Sequence, residues 1–305
     1  MEQKNNFSEN LNQIVLNITK MERKNKENDP KFQAWIEQIC DPQSELNLVP
    51  NLLTFFLDEM TKQDEKEKIL KLLVKLMMLQ EESITEQLLS NKNFPKVVVN
   101  YITLEDKTKM SDSAFYLLTK LFKEENFKEF INVKFIEALF DGLTVVHEED
   151  LLIAIVSVLV EINSNYKDQD DNIFLQVHKT SSNSRVLDEL LLRLLNNETS
   201  KERILKILLC LNKLMITEDS PIFYESDLES LIDIIINKLQ STYTENIKLF
   251  FMQMLAKITS YEAYYHNKYK DEEIDELMND FLEREDQSAE VKKFSQEVVD
   301  NITNH

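Results

Sequence analysis

Glycine is almost missing from this 305-residue chain: it occurs once, at Gly142, and proline occurs only five times. Tight hairpin turns and phosphate-cradling loops need backbone angles that residues other than glycine resist, so neither can be the basis of the fold. Cysteine is nearly as scarce. Cys40 and Cys210 lie far apart and form no CxxC pair, which suggests neither a disulfide framework nor a zinc site and fits a reducing interior. Positive charge is in deficit, with 35 Lys and Arg against 55 Asp and Glu and a net charge of −20. Coulomb repulsion then disfavours nucleic acid and anionic membrane surfaces as partners. The longest uncharged apolar run, LLIAIVSVLV at 151–160, falls short of the ~18 residues needed to span a bilayer, and the polar start MEQKNNFSEN is no signal peptide. A cytoplasmic protein without membrane insertion is expected, and the NxS/T sequons at Asn6, Asn17, Asn197 and Asn301 are then background.

What remains is helical material, 43% hydrophobic and dominated by Leu, Ile, Lys and Glu. One kind of segment keeps returning: KEKILKLLVKLMM (66–78), SDSAFYLLTKLF (111–122), EDLLIAIVSVLVEI (149–162), KERILKILLCLNKLM (201–215) and ENIKLFFMQMLAKI (245–258). Each opens polar, as a helix N-terminus does, and then runs apolar for three turns. Their spacing is close to the ~40–47 residues of armadillo and HEAT repeats once insertions are allowed. The fold class expected is all-α, an armadillo/HEAT-like helical-repeat solenoid, in which an inner helix touches both neighbouring repeats and loses its polar face. In 151–162 only Ser157 and Glu161 interrupt the apolar run. Amphipathic stretches at 44–60, 83–90, 133–140, 184–196 and 272–283 form the expected outer layer. Loops are expected at 22–30, 164–171, 179–184 and 283–290. The whole of 1–305 reads as one armadillo-repeat domain, with an N-terminal helix over 1–21 and a polar linker over 22–31. Phe7, Leu11, Ile14, Ile18 and Met21 give that first helix heptad-like spacing, suited to a cap on the array or a short partner-binding helix.

Catalysis needs converging groups, and no spacing here supplies them. HEED at 147–150 points its side chains in different directions on a helix and suits a helix N-terminus better than a metal. His178 and His266 are isolated and read as loop or helix-end residues. Glu272, Glu273, Asp275 and Glu276 read as a solvated helix face. The expectation is a non-enzymatic interaction protein with no cofactor, no metal and no small-molecule substrate. The tyrosines of YEAYYHNKY (261–269) are either a contact surface or the staple of the last repeat.

The stretch FYESDLESLIDIIINKLQ (223–240) is apolar almost all round. Ser226 and Glu229 have the form of a capping box, which predicts a helix starting there. Leu228, Leu231, Ile232, Ile235 and Leu239 define one face, and Ile234 and Ile236 widen it. At about 100° per residue, Ser230, Asp233 and Asn237 line the one polar strip left, so the helix should be clasped on three sides.

This stretch resembles the leucine-rich armadillo domain of the WISH/DIP/SPIN family, which includes the fungal Dip and Ldb-type proteins, and the resemblance extends over 148–283. The family pattern is an aromatic pair, a polar turn ending Asn-Asp-Leu and a helix of the form V-L-I-D-I-I-I-R-x-L. Here it reads Phe223, Tyr224, Glu225, Ser226, Asp227, Leu228, then Leu231 through Asn237 and Leu239. VLDELLLRLLN (186–196) and the turn with Lys268 and Tyr269 also fit. Ser226 replaces the usual asparagine and Asn237 the usual arginine, so an Asp–Arg pair at i, i+4 is lost. What the resemblance implies is binding to the Arp2/3 complex and nucleation of linear actin filaments without a preformed filament, at the cortex or at endocytic actin sites. The candidate partner-binding residues are Tyr224, Ser226, Asp227, Asp233, Asn237 and Lys238. Asp233 has a second reading, as a satisfied polar residue that fixes helix rotation. WASP-type activators carry a tryptophan in an acidic tail, whereas the one tryptophan here is Trp35. The alternative function is a generic armadillo scaffold or adaptor, although a single tryptophan cannot provide the asparagine and tryptophan ladder of import adaptors.

Overall fold

The structure, a computed structural model, describes residues 13–14, 16–18, 20, 29–41, 43, 48–58, 61–91, 93–104, 111–121, 130–166, 171–215, 225–241 and 244–304. Every regular element among them is a helix. The chain forms two compact units, Met1–Ile131 and Asn132–His305.

The first unit contains α1 (Pro30–Cys40), α2 (Leu48–Leu57), α3 (Gln63–Leu79), α4 (Glu81–Ser90), α5 (Phe94–Leu104) and α6 (Asp112–Leu121). The helix at 30–40 lies where the sequence suggested a linker ending. Asp29 caps it by accepting from the Lys31 amide, and Pro30 occupies its first turn, where a missing N–H costs nothing. Helix α3 is central, packed against α1, α2, α4 and α6, and its buried Ile69, Leu70, Leu72, Leu73, Leu76 and Met77 are the apolar run read as an inner helix. Phe56 gathers Phe94 and Tyr101 at ring separations of 5.6 and 5.9 Å. Of the apolar residues of the N-terminal segment, Ile14 and Ile18 are buried, and Phe7, Leu11 and Met21 lie outside the described residues.

The second unit contains α7 (Val133–Val145), α8 (Glu149–Ser164), α9 (Ile173–Thr180), α10 (Ser184–Asn197), α11 (Lys201–Met215), α12 (Glu225–Leu239), α13 (Glu245–Thr259), α14 (Glu262–Asn267), α15 (Asp271–Glu283) and α16 (Ala289–Thr303). Two ladders run through it. Helices α8, α11, α13 and α16 pack each on the next, and α7, α10 and α12 do the same alongside them. The interrupting polar residues of α8 are spent on this stacking: Glu161 accepts from Lys206 of α11 at 2.9 Å, and Ser157 from Arg203 at 2.9 Å. Helices α9, α14 and α16 were not anticipated. Ser288 falls within the loop expected at 283–290, and in the structure it caps α16 by accepting from the Val291 amide.

The bonds that join helices carry the signature of a repeat. Many of them link residues 34 to 50 apart: Gln87 with the Cys40 carbonyl, Lys120 with Glu81 and Tyr101 with Glu67 in the first unit, and Lys213 with the Asn163 carbonyl, Tyr261 with the Met215 carbonyl and Asn301 with the Ala256 carbonyl in the second. A stack in which each repeat touches only its neighbours produces this narrow range. Both cysteines are free and buried, and burial pushes the Cys40 thiol up to about 12. No described helix is long and apolar enough to cross a membrane.

Candidate functional site, a polar edge on helix α12

Helix α12 is described from Glu225 onward, so Ser226 lies within the helix and not at its cap. Tyr224 lies outside the described residues, as does Phe223. The apolar reading holds residue by residue: Leu228, Leu231, Ile232, Ile234, Ile235, Ile236 and Leu239 are all buried. Each such burial contributes on the order of 2 kcal/mol. Helix α12 is packed against α10 and α13, which accounts for the loss of a conventional polar face.

The proposed contact residues separate into two groups. Ser226 and Asn237 are exposed, and Asp233 is half-buried between them, so these three share the predicted strip with Ser230 and Glu229. Asp227 and Lys238 lie on the flank that meets α10. Asp227 is buried, with Asp188 of α10 close enough to feel its charge, and Lys238 donates to the Glu198 carbonyl at the end of α10, 3.0 Å away. One exposed edge therefore cannot hold all six. Lys238 is also unavailable as a stand-in for the missing arginine.

That substitute comes from elsewhere. Lys270, at the start of α15, places its ammonium 3.0 Å from Asp233 Oδ1 and 2.9 Å from Glu273, and the Tyr269 hydroxyl donates to the Asp233 carboxylate at 3.2 Å. Hydrogen bonds to Glu273 and Asp233 hold the Lys270 ammonium above the usual lysine range. Partial burial and the Asp233 carboxylate push the Tyr269 phenol up. Asn267 adds a 2.5 Å bond to Glu229, one helical turn before Asp233. Thus Asp233 and Glu229 tie α12 to the turn between α14 and α15. Sequence reasoning missed Glu229, Asn267 and Lys270 as a set because the pairing spans 36 to 38 residues.

The turn is strained. Lys268 and Lys270 both take left-handed backbone angles, φ 49° and 57°, a region that residues with a Cβ avoid at a cost of about 1 kcal/mol or more. It is also braced from behind, where the buried Tyr264 hydroxyl donates to the Asp271 carboxylate. Gly142, the residue that could adopt such angles freely, sits in the last turn of α7 with no positive φ.

Other charged groups are structural. His178, in the last turn of α9, is buried and bonded to Asp188 at 2.9 Å, beside the rings of Phe140 and Phe174. Burial pushes the Asp188 carboxyl up, opposed by that histidine. Glu149, from the HEED string, pairs with Arg193, and no three potential metal-binding side chains converge among the described residues. A shallow groove of about 60 Å³ between α8 and α10 is lined by Leu152, Ile153, Val156, Leu190 and Leu194.

Three crystal structures of engineered proteins are similar to the chain. One shares 16% identity at a TM-score of 0.42, covering 84% of this chain and 96% of its own. The second shares 17% at 0.43, covering 92% and 70%, and the third 15% at 0.43, covering 85% and 100%. No curated protein matches. The family model of the SPIN90/Ldb17 leucine-rich domain matches residues 148–274, which run from the start of α8 through the α14–α15 turn and into α15. Residues 148–274 thus match the SPIN90/Ldb17 leucine-rich domain, in agreement with the resemblance to the WISH/DIP/SPIN family.

Proposed function

We propose that this chain binds the Arp2/3 complex through its leucine-rich helical array and activates it to nucleate linear actin filaments without a preformed filament. The observation that carries the reading is the SPIN90/Ldb17 leucine-rich domain at 148–274, with its central motif folded as the tightly clasped helix α12. The reading includes 1–305 as a single armadillo-repeat domain, a cytoplasmic location at cortical or endocytic actin, and no catalytic step. Activation would be a shift of population: the array binds the active arrangement of the complex more tightly than the inactive one. Turning a mostly inactive population mostly active takes ~5 kcal/mol of preference, within reach of a well-packed interface of ~800 Å² per partner. Ser226, Asp233 and Asn237 are the exposed or half-exposed members of the motif, and they head the contact candidates. Tyr224 stays among the candidates on the motif alone. Asp227 and Lys238 act by joining α12 to α10.

A pyrene-actin assembly assay tests this, with purified Arp2/3 complex, the full chain and no seed filaments. Acceleration that needs both proteins supports the proposal. Assembly at the rate of actin plus complex alone removes it and leaves a generic helical-repeat adaptor.

A further inference from the structure

The two left-handed lysines of the α14–α15 turn differ in what their side chains do. Lys270 spends its ammonium inside the protein, on Asp233 and Glu273. Lys268 accepts the same backbone cost, yet its side chain is exposed and reaches no partner among the described residues. Glycine would hold that backbone shape without strain, and the side chain that lysine carries there instead faces solvent. We propose that Lys268 is a contact point for a carboxylate on a protein partner, presented by the turn that Glu229, Asp233, Tyr269 and Lys270 hold in place.

Charge selects the kind of partner. Glu229, Glu262, Glu272 and Glu273 stand on the elements that adjoin the turn, and the chain as a whole carries −20. A uniformly anionic surface such as a phospholipid bilayer or a nucleic acid would meet more repulsion than attraction here. A folded protein surface, with one acidic side chain set among neutral or basic ones, satisfies Lys268 and the surrounding carboxylates together. The preorganised turn matters because a lysine on a loose loop would lose side-chain and backbone freedom on binding, whereas this one has only its own rotamers left to fix.

The inference deepens the reading of the 148–274 block as a partner-binding domain and rests on it. The test measures binding of purified Arp2/3 complex to the full chain and to two variants. Lys268→Gly keeps the backbone shape and removes the charge. It should weaken binding about tenfold while its melting temperature stays equal or rises, because glycine relieves the strain. Lys268→Arg, which restores the charge, should return binding to within about twofold. Unchanged binding by Lys268→Gly, or binding by Lys268→Arg as weak as that of Lys268→Gly, overturns the assignment while leaving the parent reading intact. Absence of binding by the unaltered chain overturns the parent reading and this one with it.

Discussion

Lys213, Lys257 and Asn301 are spaced 44 residues apart, and each stands two residues before the end of its helix, α11, α13 or α16. Two of them do the same work on the previous rung. Lys213 donates to the Asn163 and Tyr166 carbonyls where α8 ends, and Asn301 donates to the Ala256 carbonyl and the Thr259 hydroxyl where α13 ends. They satisfy acceptors that a helix terminus otherwise leaves free. The Lys257 ammonium is buried with no hydrogen-bond partner among the described residues, and burial holds it below the usual lysine range. Lys257→Met should therefore stabilise the protein by about 1 kcal/mol, whereas Lys213→Met, which orphans two carbonyls, should destabilise it by a similar amount or more. The sign with pH follows from the depressed value. Between the folded and unfolded pKa the unfolded chain binds more protons, so the penalty of Lys257 is full at neutral pH and fades as pH climbs toward the ordinary lysine value near 10. Urea unfolding of both variants at pH 7 and pH 10 checks this, and a Lys257→Met gain that grows with pH contradicts it.

Helix α12 shows how far an amphipathic pattern can be pushed. With seven apolar residues buried, its rotation is fixed by the single strip that holds Ser230, Asp233 and Asn237. Ile235 is fully buried, so Ile235→Ala should cost about 3 kcal/mol through lost burial and a residual cavity. Asn237→Ala, on the exposed strip, should stay within about 0.5 kcal/mol. Comparable losses for the two in denaturant titrations would mean that the helix is turned differently. The same helix explains why its pattern was readable and its start was not. Seven apolar positions over four turns determine a face, but a Ser-x-x-Glu string is compatible with a cap at 226 or with a helix that is already under way there, and the second is what Glu225–Leu239 shows.

At the scale of the molecule, stability is spread along ladders whose members are neighbours in sequence order, as in other solenoids. The last rung, α16, covers α13: Val291, Ser295 and Val298 are buried, Ser295 contacts Met252, and Asn301 caps the end of α13. A chain ending at residue 288 should expose the face of α13 that carries Met252 and Ala256. It should lower the melting temperature by more than 5 °C and bind a hydrophobic dye such as ANS in the folded state. An unchanged melting temperature would show that α16 is only an appendage.

The repeated apolar runs were enough to settle the all-α class, the inner helices α3, α6, α8, α11 and α13, and the clasped character of α12, because a side-chain pattern with helical period dictates which faces must leave water. Helices α9 and α14 escaped notice because six to eight residues hold too few turns to establish a period. The polar edge was hidden for a different reason. The ion pair of Asp233 with Lys270, the bond of Glu229 to Asn267 and the exposure of Lys268 all depend on which residues stacking brings across a gap of nearly forty positions, and only the packing of one repeat on the next decides that.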